Sequence, residues 1–165
     1  MNKFYLTSRI AAFLLLFTNC IQAQTTQAKL DQLKLMQDWI GTSQQDYGID
    51  TLEVMDFQQY GNAFIGTINR VINGKKSYWC TYNYLYSPKE NKFRVFAFWP
   101  NGRYQTMIGS FTTEKKFCAD IVQDFNPEKV LRRVETVAET PENYTATFIN
   151  LDGVRSRPFK WYKVK

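Results

Sequence analysis

The hydrophobic pattern of the chain changes character near Tyr47. From there onward, short stretches rich in Val, Ile, Thr, Tyr, Phe and Trp alternate with turn signals at regular intervals. Asn-Gly and Asp-Gly favour tight hairpins, because type I′ turns need positive φ at both central residues. The pattern predicts about ten strands joined as successive hairpins. The turn signals are Gly61-Asn62, Asn73-Gly74, Ser87-Pro88 through Asn91, Asn101-Gly102, Glu114 to Lys116, Asn126-Pro127, Thr140-Pro141 through Asn143, and Asp152-Gly153.

One helix is predicted ahead of these strands, over about Thr26 to Ile40, and Gly41 ends it. No second helical pattern interrupts the strands, which excludes a parallel sheet built on crossover helices. A sandwich and a closed barrel remain. Strands connected only by tight turns favour closure, because closure removes exposed edges. The predicted fold is therefore all-β, an up-and-down antiparallel barrel of about ten strands with one N-terminal helix.

The turn registers predict which side chains share a face in the last hairpin. If Asp152-Gly153 is a two-residue turn, directly opposed residues lie on one face of the sheet. That face then holds four aromatic residues and two arginines. The opposed pairs are Asn150 with Arg155, Phe148 with Arg157, Ala146 with Phe159, and Tyr144 with Trp161.

A second aromatic face is predicted in the middle of the chain. A two-residue turn at Asn101-Gly102 opposes Trp99 to Tyr104, Ala97 to Thr106, and Val95 to Ile108. If Tyr86 opposes Phe93, then Tyr82, Tyr84 and Tyr86 join this face. The reverse face, with Arg94, Phe96, Phe98 and Met107, is also rather apolar. The pattern therefore leaves open which of these two faces lines the lumen.

The cysteine positions predict two free thiols. Cys80 falls in about the fourth strand and Cys118 in about the seventh, three ladder spacings of roughly 4.8 Å apart. A disulfide needs Cα atoms within about 7 Å of each other. With no histidine in the chain, these two thiols cannot make a zinc site by themselves.

The first two dozen residues have the pattern of a secretory signal. Lys3 and Arg9 precede an apolar run from Ile10 to Phe17, and Ile21-Gln22-Ala23 forms a cleavage site. The run is shorter than the about 20 apolar residues of a transmembrane helix. We therefore predict a signal peptide at 1–23, a single domain at 24–165, and a periplasmic or extracellular location. Lipid anchoring through Cys20 is the alternative, although Asn19 before it suits that signal poorly.

Charge and composition narrow the function classes. The chain of 165 residues carries a net charge of +6, and removal of the signal leaves 19 basic against 15 acidic residues, or +4. The basic residues are scattered, which does not favour nucleic-acid binding. The absence of histidine excludes Ser-His and Cys-His nucleophiles and His-ligated zinc or haem iron. No cofactor, metal or transmembrane segment is predicted, and the oligomeric state is left open.

Four short motifs carry a resemblance to a known family. They are Trp39-Ile40-Gly41-Thr42, Tyr84-Leu85-Tyr86-Ser87-Pro88, Phe98-Trp99-Pro100-Asn101-Gly102, and Leu151-Asp152-Gly153 leading to Trp161-Tyr162. With them, nearly the whole chain after the signal resembles the lipocalin-like (calycin) barrels, most of all their small secreted bacterial members of unknown function. Lipocalins usually place a Trp where this chain has Ser43. Related haem-binding barrels ligate iron through a histidine, which this chain lacks.

The leading hypothesis is a non-enzymatic binder of a small apolar or amphipathic ligand, lipid-like or aromatic, with an anionic ligand as one option. A barrel of this size has room for one small ligand. Arg155 and Arg157 are expected to meet a carboxylate or phosphate, as arginines near the last strand do in the similar fatty-acid-binding barrels. The expected aromatic walls are Tyr82, Tyr84, Trp99, Tyr104, Tyr144, Phe148 and Trp161.

Three alternatives stand beside ligand binding. The aromatic side chains could simply fill the barrel, with the arginines in solvent. A cell-envelope interaction module would instead use an outward apolar patch of Phe96, Phe98 and Met107. A carboxylate-dependent enzyme is the third, since acidic residues lie near two arginines in sequence and burial can tune a carboxylate. Its candidate residues are Asp120, Asp124, Glu135, Arg132 and Arg133.

Overall fold

A computed structural model describes residues 30–48 and 50–164. The predicted signal peptide, Cys20 and the first residues of the predicted helix lie outside this part of the chain. The described elements are one helix, α1, and ten strands, β1 to β10. Their bounds are α1 Gln32–Gln37, β1 Gly41–Gly48, β2 Thr51–Tyr60, β3 Ala63–Ile72, β4 Lys75–Ser87, β5 Lys92–Phe98, β6 Tyr104–Thr113, β7 Lys116–Gln123, β8 Asn126–Thr140, β9 Asn143–Ile149 and β10 Phe159–Lys163.

The ten strands form one closed antiparallel barrel. Each strand pairs with its neighbours in sequence, and β10 closes the ring on β1 through Ser43 opposite Lys163 and Gln44 opposite Tyr162. The predicted up-and-down barrel of about ten strands is therefore confirmed. Cys80 lies in β4 and Cys118 in β7, and both are free thiols as predicted.

The helix is shorter than its periodicity predicts. Asp31 is its N-cap, because the Asp31 side chain accepts a hydrogen bond of 3.1 Å from the backbone N–H of Lys34. This cap makes Gln32 the first helical residue, so the prediction of a helix running from Thr26 to Ile40 was wrong at Leu30 and Asp31 and also past Gln37. Gln32 fixes the helix to the barrel by exchanging two buried hydrogen bonds with the backbone of Phe111.

The turn after β7 lies two residues earlier than predicted. Gln123 pairs with Asn126, and the two central residues, Asp124 and Phe125, have φ of 48° and 59°. Pro127 cannot occupy such a position, because its ring holds φ near −65°. The prediction of a turn centred on Asn126-Pro127 was therefore wrong.

Two predicted two-residue turns are in fact three-residue loops. The Trp99 N–H donates to the Arg103 carbonyl at 2.9 Å, so the loop after β5 comprises Pro100 to Gly102. The loop after β9 has the same form, with the Asn150 N–H donating to the Val154 carbonyl at 2.9 Å. In both loops the last residue is a glycine, with φ of 80° at Gly102 and 84° at Gly153. A glycine in this left-handed conformation is typical of three-residue hairpin loops.

The longer loop after β5 shifts the register of the hairpin by one residue. Tyr104 lies opposite Phe98, and Met107 lies opposite Val95. Because side chains alternate between faces, the shift exchanges inside and outside along β6. Tyr104 is 57% exposed on the outer face, while Met107 is 4% exposed inside the barrel. The predicted pairs of Trp99 with Tyr104, Ala97 with Thr106, and Val95 with Ile108 were wrong.

The last hairpin is shifted only near its loop. Arg155 lies opposite Ile149 and not opposite Asn150 as predicted, and the Ser156 N–H donates to the Phe148 carbonyl. Farther along, Phe159 with Ala146 and Trp161 with Tyr144 pair as predicted. The extra residue is therefore absorbed at Arg157-Pro158. The predicted opposition of Phe148 and Arg157 was wrong, and both Arg155 and Arg157 are exposed.

The densest packing lies at the end of the barrel that α1 covers, called the closed end below. Met36 from the helix and Phe64 and Phe93 from the wall are completely buried there. Phe111 and Phe117 lie at the same end, with ring centroids 5.2 Å apart in an edge-to-face contact. The opposite end, called the mouth below, carries the two three-residue loops, and none of the described residues around those loops is among the completely buried large side chains. This asymmetry leaves space inside the barrel toward the mouth.

Candidate functional site

The interior of the barrel contains a cavity of about 320 Å³. Of its 25 lining residues, eleven are aromatic: four tryptophans, four tyrosines and three phenylalanines. The four tryptophans are all those of the chain, namely Trp39, Trp79, Trp99 and Trp161. The volume lies at the small end of the range of about 300–1,000 Å³ that is typical of ligand sites. The size and lining are those of a site for one small molecule.

A bulge in β4 places two consecutive side chains in the cavity. Ile68 pairs with Cys80 and Asn69 with Tyr78, so Trp79 has no partner in β3. An extra residue of this kind bends the strand and redirects a side chain. Trp79 and Cys80 consequently both line the cavity, Trp79 nearer to the mouth.

Six of the nine predicted site residues line the cavity. They are Tyr82, Tyr84, Trp99, Tyr144, Phe148 and Trp161. The other three, Tyr104, Arg155 and Arg157, lie outside it because of the register shifts described above. The Tyr104 hydroxyl donates to Asp124 at 2.8 Å, and Arg155 donates to Glu135 at 3.1 Å.

The carboxylates of the enzyme hypothesis also lie away from the cavity. Asp120 accepts from Arg133 at 2.8 Å, and Glu135 is held between Lys116 and Arg155. The hydrogen bond from Lys116 is the main reason that the pKa of Glu135 lies below its usual value. A general acid at neutral pH requires the opposite shift. Their positions and this pKa shift favour ion pairing on the outer wall over proton transfer.

An ion pair at the mouth is the main polar feature that the sequence analysis missed. Arg70 Nε lies 2.7 Å from Glu53 Oε1, and Gln45 donates to the other carboxylate oxygen. The Arg70 guanidinium stacks 3.3 Å from the Trp79 ring centroid and 4.6 Å from that of Tyr47. Glu53 is only 4% exposed. The mouth therefore presents a largely neutralised pair of charges held between aromatic rings.

The sequence contained a signal for this pair. The two-residue turn predicted at Gly61-Asn62 forms as expected, with Tyr60 opposite Ala63. Counting back along that hairpin places Glu53 directly opposite Arg70, as the structure has them. Both residues continue an apolar alternating face, and a charge on such a face is informative because buried charges are rare unless paired.

Three tyrosines form the deeper part of the lining, and we call Tyr82, Tyr84 and Tyr144 the tyrosine cluster. Burial raises the pKa of all three hydroxyls well above the ordinary value. Burial also raises the pKa of the neighbouring Cys80 thiol to about 12. All four groups therefore stay protonated and neutral over the physiological pH range. Since Tyr82 and Tyr84 line the cavity, their hydroxyls are potential donors to a molecule inside it.

Tyr144 is the centre of a parallel aromatic stack. Its ring lies between those of Trp39 and Trp161, with interplanar angles of 4° and 8° and centroid distances of 5.6 and 6.1 Å. The Tyr144 hydroxyl oxygen and the Ser43 Oγ are both completely buried, and the Ser43 side chain is the hydrogen-bonding neighbour of the Tyr144 hydroxyl. Because a hydroxyl both donates and accepts, these two groups can satisfy each other.

The fold and the interior together define the class of this protein: a closed, ten-stranded, up-and-down antiparallel β-barrel with an aromatic-lined internal cavity. No protein-family model matches the chain, and a comparison with curated proteins gives no match. Among the residues that the structure describes, no helix has the length and apolar character needed to cross a membrane.

Proposed function

We propose that this protein is an exported, non-enzymatic barrel that binds one small apolar or amphipathic molecule in its lumen. The observation that carries this proposal is the cavity of about 320 Å³ with eleven aromatic residues among its 25 lining residues. A concave apolar surface with a few convergent polar groups is the general form of small-molecule sites. The polar groups here are the Glu53–Arg70 pair at the mouth and the tyrosine cluster below it.

Two parts of this proposal rest on the sequence. Export follows from the predicted signal peptide at 1–23, and the relationship to lipocalin-like barrels follows from the short motifs and the element order. The barrel topology supports that relationship, because calycin-type barrels are antiparallel meanders that enclose one ligand.

Native mass spectrometry of the protein purified from its own host tests the proposal directly. We expect a mass excess that corresponds to one small molecule, which organic extraction then releases for identification. Since all four tryptophans line the cavity, extraction should also shift the tryptophan emission spectrum, and adding the extract back should restore it. A protein that carries no molecule, together with an emission spectrum insensitive to any apolar probe, would refute ligand binding.

A second candidate, an interaction module of the cell envelope, is favoured by one observation. Phe96, Phe98 and Tyr104 form an aromatic patch on the outer wall, with ring centroids 6.1 and 5.8 Å from Phe96. Phe98 is 39% exposed, whereas Met107, predicted to belong to this patch, is buried inside the barrel. A Phe98→Ser variant separates the two functions: loss of envelope association without loss of the bound molecule would assign the patch its own role.

A further inference from the structure

The two ends of the cavity differ in their chemistry. The charged residues of its lining are Glu53, Arg70 and Arg103. Glu53 and Arg70 lie near the mouth ends of β2 and β3, and Arg103 follows the loop that comes after β5. Toward the closed end, the polar side chains of the lining are Cys80, Thr136 and the tyrosine cluster. A molecule that fills the cavity therefore meets charge at its outer end and neutral groups at its inner end.

The Tyr84 hydroxyl, at the inner end of the cavity, is a hydrogen-bond donor without an acceptor among the described residues. It makes no side-chain hydrogen bond there, although Tyr84 lines the cavity. The Tyr82 hydroxyl pairs with the Cys80 thiol, and the completely buried Tyr144 hydroxyl has Ser43 beside it. Buried polar groups are nearly always satisfied in folded proteins, by protein, water or ligand. The unpaired Tyr84 hydroxyl therefore points to a polar atom of a bound molecule.

The walls of the cavity suit a flat molecule. The Tyr144 ring is parallel to the Trp39 ring to within 4° and to the Trp161 ring to within 8°. Tyr82, also in the lining, packs edge-on against Trp99, with an interplanar angle of 73°. Rings attract other aromatic systems through offset stacking and edge contacts, which a flexible alkyl chain cannot reproduce.

An anionic group is poorly suited to this inner end. Arg70 is already paired with Glu53 at 2.7 Å, and Arg103 is exposed beside Trp99 at the mouth. Burying a charge away from any compensating charge is costly. A neutral acceptor such as a carbonyl oxygen carries no such cost and still receives hydrogen bonds from tyrosine hydroxyls.

We propose that the lumen is specific for a flat, uncharged aromatic compound bearing a carbonyl oxygen, inserted carbonyl first so that Tyr84 donates a hydrogen bond to that oxygen. This inference rests on the proposed function, because it assumes that the lumen binds a small molecule. It adds the chemical class of that molecule and its orientation.

Equilibrium dialysis of the full chain against matched probes tests the inference. The probes are 2-acetylnaphthalene, its hydrocarbon analogue 2-ethylnaphthalene, and the anion 2-naphthoate. Tyr84→Phe should weaken binding of the ketone about fivefold, the value of one typical net hydrogen bond. It should not change binding of the hydrocarbon, and this unchanged binding shows that the variant barrel is folded. Tyr104→Phe, on the outer wall, is the matched control and should alter neither affinity.

The outcomes separate this inference from the function on which it rests. Equal binding of the ketone by all variants would overturn the carbonyl assignment, while ligand binding in the lumen would stand. Tighter binding of 2-naphthoate than of the ketone would overturn the preference for an uncharged compound. Failure of both the ketone and the hydrocarbon to bind the unaltered protein would refute the lumen as an aromatic binding site altogether.

Discussion

Glu53 and Arg70 show how two residues can set the polar chemistry of a largely aromatic site. Their side chains are 6% and 19% exposed, so each depends on the other for compensation of its charge. A buried pair contributes little net stability relative to apolar residues, but the loss of one partner leaves an uncompensated charge. The pair is therefore better explained by what it presents to the cavity than by stability.

Removing one partner of this buried ion pair should destabilise the protein much more than removing one partner of an exposed ion pair. We expect Arg70→Leu to lower the free energy of unfolding by about 2–4 kcal/mol, because Glu53 is left buried without its cation. The matched control is Arg94→Leu, whose pair with Glu90 is exposed and should contribute much less, because solvent screens it. Urea unfolding followed by tryptophan fluorescence measures both. Equal effects of the two substitutions would contradict the interior position of the Glu53–Arg70 pair.

The two cysteines should differ sharply in reactivity. Burial raises the pKa of Cys80 to about 12, whereas Cys118 is half-buried on the outer wall, 3.7 Å from Thr112 Oγ1. The thiolate is the reactive form, so iodoacetamide at pH 8 should alkylate Cys118 well before Cys80. Peptide mapping at successive times measures the two rates separately, and denatured protein is the control in which they should converge. Equally fast alkylation of Cys80 in the folded protein would mean that solvent reaches the inner end of the cavity.

At the scale of elements, the strand number, closure and free thiols followed from the turn signals, whereas the faces of two hairpins did not. Asn101-Gly102 and Asp152-Gly153 look like two-residue turns, but each loop contains one residue more. Pro100 was the available signal, because it has no N–H to pair with Arg103 across a two-residue turn. The bulge at Trp79 had no local signal, since it depends on packing within the closed barrel.

The lengths of these hairpin loops also explain which of the predicted site residues line the cavity. Tyr144 and Trp161 lie in a part of the last hairpin that recovers the predicted register, so both line the cavity. Arg155 lies before the compensating bulge and is therefore on the outer wall. Face assignments are reliable only as far as the loop length is known, because a slip of one residue exchanges every face beyond it.

Gly109 lies at a point where β6 and β7 approach each other closely. It lies opposite Ala119, and an added Cβ would stand 2.5 Å from the Ala119 Cβ and 2.7 Å from the Cys118 carbonyl oxygen. We expect Gly109→Ala to destabilise the protein by about 1–3 kcal/mol through overpacking. The neighbouring Ser110→Ala substitution is the control and should have a small effect, because that side chain lies on the other face. A Gly109→Ala variant with an unchanged melting temperature would contradict this expectation, because it would show that the two strands can move apart locally without loss of stability.

At the scale of the whole molecule, the buried protonated groups should make the barrel sensitive to alkali. In the unfolded chain, Cys80 loses its proton near pH 9 and the tyrosines near pH 10, whereas in the folded protein these pKa values are raised. Stability is therefore fully present below about pH 9 and falls as the pH rises through this window. Each group that stays protonated contributes a slope of about 1.4 kcal/mol per pH unit.

Urea unfolding between pH 8 and pH 11 measures this dependence. Tyr82→Phe should reduce the slope above pH 10, because it removes one group that titrates in the unfolded chain alone. Ser110→Ala, which removes no titratable group, provides the comparison and should leave the slope unchanged. Stability that stays constant up to pH 11 would mean that the tyrosine cluster ionises as freely in the folded barrel as in the unfolded chain.

The three-residue loop from Pro100 to Gly102 also has a consequence for how such a barrel can diverge. No bulge follows it in the pairing of β5 with β6, so its length sets which side chains of β6 face the lumen. Deletion of a single codon there, if no bulge absorbs it, would turn Tyr104, Thr106 and Ile108 inward and Met107 outward, without altering any of these residues. A lineage could in this way acquire a new specificity through one change in a hairpin loop, instead of through many separate replacements in the wall.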